Sequence, residues 1–148
     1  MPTTEAENKA TVQHIYEQIF NQGKLSVADE VIAPDFINHS VPPGSSNRGP
    51  ESMRQLITIL STAFPDMHYT VEELVAEGDI VAVRLIMSGT HRGPGPLQGM
   101  PPTGRSVRVA QMHFIRFRDG KVVEHRAVRD DLGLMQQLGV IPAPADAR

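Results

Sequence analysis

The sequence predicts an α+β fold, with helices first, antiparallel strands last, and the helices packed on one face of a curved sheet. Three observations carry this. Apolar residues in the N-terminal half recur at helical spacing, and those in the C-terminal half follow strand patterns. An Asp-Gly pair at 119–120 also sits between two β-rich runs. The length, 148 residues, suits a single domain spanning 1–148.

Each element has its own signal. Residues 5–21 predict a helix, because Val12, Ile15, Tyr16, Ile19 and Phe20 fall at i, i+3, i+4 spacing and Gly23 stops it. A short helix at 26–32 must end before Pro34, and 35–40 reads as extended. Pro50 opens a third helix, whose apolar stripe is Met53, Leu56, Ile57, Leu60 and Phe64 and which Pro65 ends. The period then changes. Strands are expected at 67–76 and 80–90 around a turn at 77–79, and at 106–117 and 122–129 around 118–121. A last helix at 132–138 is expected to be capped by Asp131 and closed by Gly139, with a loose tail at 142–148.

Glycine and proline number 12 each, and thirteen of them fall in two windows, 41–50 and 92–104. The second window joins two strands and far exceeds the usual hairpin loop of roughly 2–5 residues. Loops of that length in a compact domain often act as lids. Both windows are expected to form Pro-stiffened flaps at the mouth of a pocket between helices and sheet.

Composition excludes several classes. The net charge is -3 and the basic residues are scattered, so nucleic acid is not an expected partner. No apolar run approaches the ~18 residues of a membrane span, and the polar N-terminus lacks a signal-peptide core, so the expected compartment is the cytoplasm. There is no cysteine, no phosphate-binding glycine loop and no Gly-x-Ser-x-Gly elbow. Lysines occur only at 9, 24 and 121, away from any pocket, and the six histidines lack zinc spacing. Neither metal nor other cofactor is expected.

The final hairpin permits a deduction about faces. With Asp119-Gly120 as a two-residue turn, Ile115 opposes Glu124, His113 opposes Arg126, Gln111 opposes Val128 and Val109 opposes Asp130. One face then carries Gln111, His113, Glu124, Arg126 and Asp130 among apolar neighbours, and His125 points the other way. Such a mixture suits either a solvated or subunit-contact face, or a pocket with a polar floor. A bulge would change these pairs. Leu85 and Met87 share one face of their strand, on the expected pocket wall.

The motifs resemble a known family. They are Ser88-Gly89-Thr90-His91-Arg92-Gly93, Gly99-Met100-Pro101-Pro102-Thr103-Gly104-Arg105, the run His113 to Lys121, and Glu124-His125-Arg126-Ala127-Val128-Arg129-Asp130. Phe36-Ile37-Asn38-His39, Phe64-Pro65-Asp66 and the run Leu132 to Gly139 fit as well. Together these are similar to the SnoaL-like polyketide cyclase (ester cyclase) family, over residues 5–141. The resemblance implies the cone-shaped fold of nuclear transport factor two and ketosteroid isomerase, a homodimer or higher homo-oligomer, and a cofactor-free activity. It also implies a small hydrophobic or polyketide-like substrate whose ring is closed by intramolecular aldol condensation. The family's acid/base is an aspartate on the last strand, which matches Asp130 here. His113 and His39 follow as catalytic partners, with Phe36, Asn38, Gln111, Arg126, Leu85 and Met87 at the substrate. Many relatives have tryptophan where this chain has Arg126, so an apolar wall becomes a cation.

Aldol closure needs a base beside a carbonyl-activated carbon and a stabilised enolate. Asp130 would be that base, and His113 or Gln111 would donate to the enolate oxygen. Burial would strengthen Asp130 as a base, and Arg126 beside it would weaken it. Two other readings remain: a non-catalytic small-molecule-binding protein, favoured by a pocket cation that suits an anionic ligand, and an enzyme resembling epoxide hydrolase or ketosteroid isomerase.

Overall fold

The computed structural model describes residues 2–42 and 44–145. Pro43 of the first Pro/Gly window and the last three residues of the expected loose tail lie outside them; residues 142–145 carry no helix or strand.

Helix α1 (Glu5–His14) starts from a capping box. Thr4 Oγ1 accepts from the Glu7 N–H, and the Glu7 carboxylate accepts from the Thr4 N–H. The helix runs on as a π-helical segment, Ile15–Asn21. The wider turn keeps Ile15, Tyr16, Ile19 and Phe20 all buried, with the Tyr16 and Phe20 rings 5.0 Å apart. Asn21 clamps the next layer: its side-chain amide donates to Tyr69 O at 2.9 Å and accepts from Tyr69 N at 2.7 Å. A 3-10 turn (Leu25–Val27) and α2 (Ala28–Val31) lead into β1 (Ile32–Asn38). Pro34 is tolerated because β1 is a sheet edge. Helix α3 (Gly49–Ala63) packs against β1. Four strands follow: β2 (His68–Glu77), β3 (Ile80–Thr90), β4 (Ser106–Arg118) and β5 (Lys121–Arg129). Helix α4 (Asp131–Leu138) comes last, closed by Gly139 in the left-handed region at φ 79°.

The sheet order is β1-β5-β4-β3-β2, with β1 parallel to β5 and the other pairs antiparallel. The α+β curved-sheet architecture is the one expected. Alternation puts Val81, Val83, Leu85 and Met87 of β3 and Val107, Val109, Gln111, His113, Ile115 and Phe117 of β4 on the covered face.

The hairpin register differs from the expected one beyond its first two pairs. Arg118↔Lys121 and Phe117↔Val122 stand as expected, and then a bulge inserts Val123. Arg116 now opposes Glu124, Ile115 opposes His125, His113 opposes Ala127 and Gln111 opposes Arg129. The single extra residue turns over every later β5 side chain. His125, Ala127 and Arg129 face the helices; Glu124, Arg126 and Val128 face outward. The signal for this lay in the charges. The bulged register sets Arg116 beside Glu124, as an ion pair of 3.2 Å, where the unbulged one sets Ile115 against that carboxylate.

Candidate active site

A cavity of about 490 Å³ opens between sheet and helices. Met87, Val109, Gln111, Ala127 and Arg129 form its sheet wall, Leu56, Leu60 and Phe64 its α3 wall, and Leu134 and Met135 its α4 wall. Val41 and Pro42 from one Pro/Gly window and Pro96 and Leu97 from the other border it, so both windows stand at its rim. The long loop 92–104 is tied at its base. His91 and residues 104–105 exchange backbone hydrogen bonds of 2.7 and 2.8 Å, and the buried His91 ring accepts from Thr103 N and donates to Gly95 O. The Arg92 and Gly93 N–H groups both bond Ala63 O at the end of α3. A Cβ on Gly93 would stand 1.9 Å from Thr62 O, so only glycine allows this approach.

Behind the cavity lies a smaller chamber of about 30 Å³, with room for roughly one water. It is lined by Tyr16, Asn38, Tyr69, His113, His125 and Arg129 among apolar residues. Tyr69, Arg129 and Leu56 border both spaces.

One buried chain of hydrogen bonds runs along this floor. Asn38 Oδ1 accepts from the Ser40 N–H at 2.9 Å, which identifies that atom as the amide oxygen. His125 Nδ1, 2.8 Å away, must donate to it. His125 Nε2 is then the acceptor for His113 Nδ1–H, at 2.7 Å. Neutral His113 therefore carries its lone pair on Nε2, which stands 2.8 Å from Gln111 Oε1. That amide offers Oε1 when His113 is an imidazolium and must turn to offer its NH₂ when His113 is neutral. Burial first, then the neighbouring His125 and Arg129, hold His113 well below the usual histidine range. Burial, then Arg129 and His39, push His125 down to about 3. Both rings are neutral at physiological pH.

The structure brings together Phe36, Asn38, Gln111, His113 and Met87 of the residues expected at the site; all are buried and line one of the two spaces. Leu85 is fully buried on the same face of β3, in the core rather than along a cavity wall. Further expectations are corrected. Asp130 does not face the cavity; it is the N-cap of α4, its carboxylate accepting from Gly133 N at 2.9 Å, and it is exposed. It takes the capping role expected of Asp131, and Asp131 borders the cavity instead. Arg126 lies on the outer face, 3.4 Å from Glu124, because of the bulge. His39 alternates with the inward Asn38 and so points out, its Nε2 3.0 Å from Glu124. That carboxylate is held below its usual range by His39 first, then Arg126 and Arg116. Sequence reasoning missed Tyr16, Tyr69, His125 and Arg129. Tyr16 read only as part of a helical stripe and Tyr69 only as part of a strand, and the last two were turned away by the unbulged register. Among the described residues no group of His, Asp or Glu converges to hold a metal ion.

A cone of sheet and helices around a mainly apolar cavity, with a buried histidine–amide chain behind it, defines a small-molecule-binding member of the nuclear transport factor two-like fold. The chain belongs to the SnoaL-like polyketide cyclase family, whose profile matches residues 10–138. It is 35% identical over 121 residues to the nogalonic acid methyl ester cyclase of Streptomyces nogalater, covering 81% of this chain and 89% of that one. Over 128 residues it is 36% identical to the aklanonic acid methyl ester cyclase DnrD of Streptomyces peucetius, covering 82% and 84%. The structure of TsrD from Streptomyces laurentii superposes with a TM-score of 0.84 at 28% identity, over 95% of this chain and all of that one.

Proposed function

We infer that the protein is a cofactor-free cyclase that closes a ring in a polyketide-like carbonyl compound by intramolecular aldol addition, with His113 as the general base. The observation that carries this is the Asn38–His125–His113 chain, which assigns the lone pair of neutral His113 to Nε2, with Gln111 between that atom and a cavity of substrate size. Among the described residues no carboxylate stands on the sheet wall of that cavity, since Ala127 occupies the β5 position opposite His113 and Asp130 caps α4. The part first given to Asp130 passes to the imidazole.

The chemistry balances without a redox partner. Rotation of the Gln111 amide uncovers Nε2, which takes the proton from the carbon next to a carbonyl. The enolate carbon attacks a second carbonyl of the same molecule. The new alkoxide recovers the proton from the imidazolium, and the product is an isomer of the substrate. A low histidine pKa fits this sequence. Burial and Arg129 disfavour a resident imidazolium, and the enolate charge formed beside it stabilises the cation for the step itself.

The reading extends to the assembly and its setting. Val75, Met112, Phe114 and Val128 are each more than half exposed on the outer face of the sheet. Met112 lies directly across from Val128, so they form one apolar band among salt-bridged charges. This face suits pairing of two copies into a homodimer. Among the described residues no helix is long and apolar enough to cross a membrane. The cytoplasm is the compartment we propose.

The test is turnover of aklanonic acid methyl ester, the substrate for which several relatives are named. Wild-type protein should cyclise it, and His113→Gln should lower kcat by about 10²-fold or more. Unchanged kcat in His113→Gln sinks the assignment. The absence of a carboxylate from the sheet wall among the described residues favours one second reading, a binding protein without turnover; saturable binding with no product would select it.

A further inference from the structure

The cavity's charge runs against that of the whole chain. The chain is net acidic, yet the charged group on the sheet wall of the cavity is a cation. Arg129 borders both the large cavity and the inner chamber. Its guanidinium has five N–H donors, and its one protein hydrogen bond among the described residues runs to Ser40 O, at 3.2 Å. It makes no ion pair among the described residues, not even with Asp131 on the rim of the same cavity. A half-buried guanidinium so placed costs stability unless something pairs with it.

Two phenols stand around it. Tyr16 and Tyr69 are 3% and 4% exposed, with rings 5.5 Å apart. Neither hydroxyl has a hydrogen-bond partner among the described residues. Among the described residues no enclosed side-chain oxygen or nitrogen is left unpaired, so both hydroxyls open onto cavity space. Burial pushes Tyr69 up to about 12 and Tyr16 higher still, and Arg129 pulls both back. At neutral pH they are protonated donors beside a cation.

We propose that Arg129, with the Tyr16 and Tyr69 hydroxyls, is a binding site for a substrate carboxylate, so that this chain takes a free polyketide acid where its curated relatives are named for methyl esters. The proposal rests on the cavity being the substrate site argued above, and it adds the class of substrate. A carboxylate offers two oxygens to the unused N–H groups of Arg129, and the phenols fill its remaining lone pairs. A methyl ester has no charge to offer, and it would leave the half-buried guanidinium unpaired. The anchor also orients the reaction. It lies on β5 two residues beyond Ala127, the partner of His113, and so it holds the acid end of the substrate to one side of the base.

The experiment titrates aklanonic acid and its methyl ester separately against the wild-type protein, Arg129→Gln, Arg129→Lys and Tyr69→Phe. The wild type should bind the acid about tenfold or more tighter than the ester. Arg129→Gln should bring the ratio close to one by weakening the acid alone. Arg129→Lys keeps the charge without the fork and should retain part of the preference, and it also tests the site if the Gln variant fails to fold. Tyr69→Phe should weaken the acid several-fold. Equal binding of acid and ester by the wild type, no binding of the acid, or a preference that survives in Arg129→Gln overturns the proposal. The two readings fail differently. An Arg129-dependent preference without cyclisation leaves this site standing and removes the enzyme. Cyclisation of the ester with no preference for the acid does the reverse.

Discussion

Asn38 on the edge strand and His125 on its neighbour meet at 2.8 Å, and their contact decides which nitrogen of a third residue is free. The Asn38 carbonyl is already oriented by the Ser40 N–H, so His125 can only donate to it. Every proton position from there to Gln111 follows. One loop and three strands are thereby coupled to one lone pair.

Removing that contact should harm catalysis more than binding. Asn38→Leu leaves His125 free to adopt either tautomer and strands its donor. Burying an unpaired donor costs about 1–3 kcal/mol, and kcat should fall while KM moves little. Denaturant unfolding and steady-state kinetics on the same preparation check this. A KM effect larger than the kcat effect counts against the relay.

The two buried histidines should also make the fold acid-sensitive at an unusually high pH. Both are held below the ordinary histidine value in the folded state, His125 at about 3. Between about 6.5 and 3 the unfolded chain therefore binds more protons than the folded one, so stability falls as pH falls. Each such group contributes a slope of about 1.4 kcal/mol per pH unit. Carboxylates held low, such as Asp66 by Thr90, add to the loss only nearer pH 4. Unfolding free energy measured from pH 7 to 5 should decline, and His125→Gln should flatten the decline. A level profile over that range contradicts neutral burial of the pair.

The cap and the outer cation should be separable from the site. Asp130→Ala should cost about 1 kcal/mol through loss of the α4 cap, and Arg126→Ala should change stability by under about 0.5 kcal/mol. Neither should alter ligand affinity, read by titration with aklanonic acid methyl ester. A tenfold loss of affinity in either variant would restore it to the cavity.

The outer face of the sheet gives a separate outcome. Phe114→Glu places a charge in the apolar band beside Met112 and Val128. Light scattering should show a dimer for the wild type and a monomer for the variant, with helix and strand content retained. A monomeric wild type removes the dimer.

Much of the fold was legible in the chain, because local rules set it. The helical stripe of α3, the Pro and Gly stops, the Asp-Gly turn and the strand alternation each act over a few residues, and the predicted elements match the observed ones closely. So did Asn38, Gln111 and His113, whose buried amide and imidazole groups sit at inward strand positions. The rest depended on one residue of register. Val123 bulges where β5 leaves the turn, and its neighbours' backbone bonds, such as Phe117 N to Asp79 O, come from a different hairpin. A strand's face is a parity, and parity is decided by what packs against it. The sequence alone determined that a polar set would stand on the last hairpin. Only the tertiary structure decided that the set is His125 and Arg129 rather than Arg126 and Asp130, because only there do the helices close one face of the sheet from water.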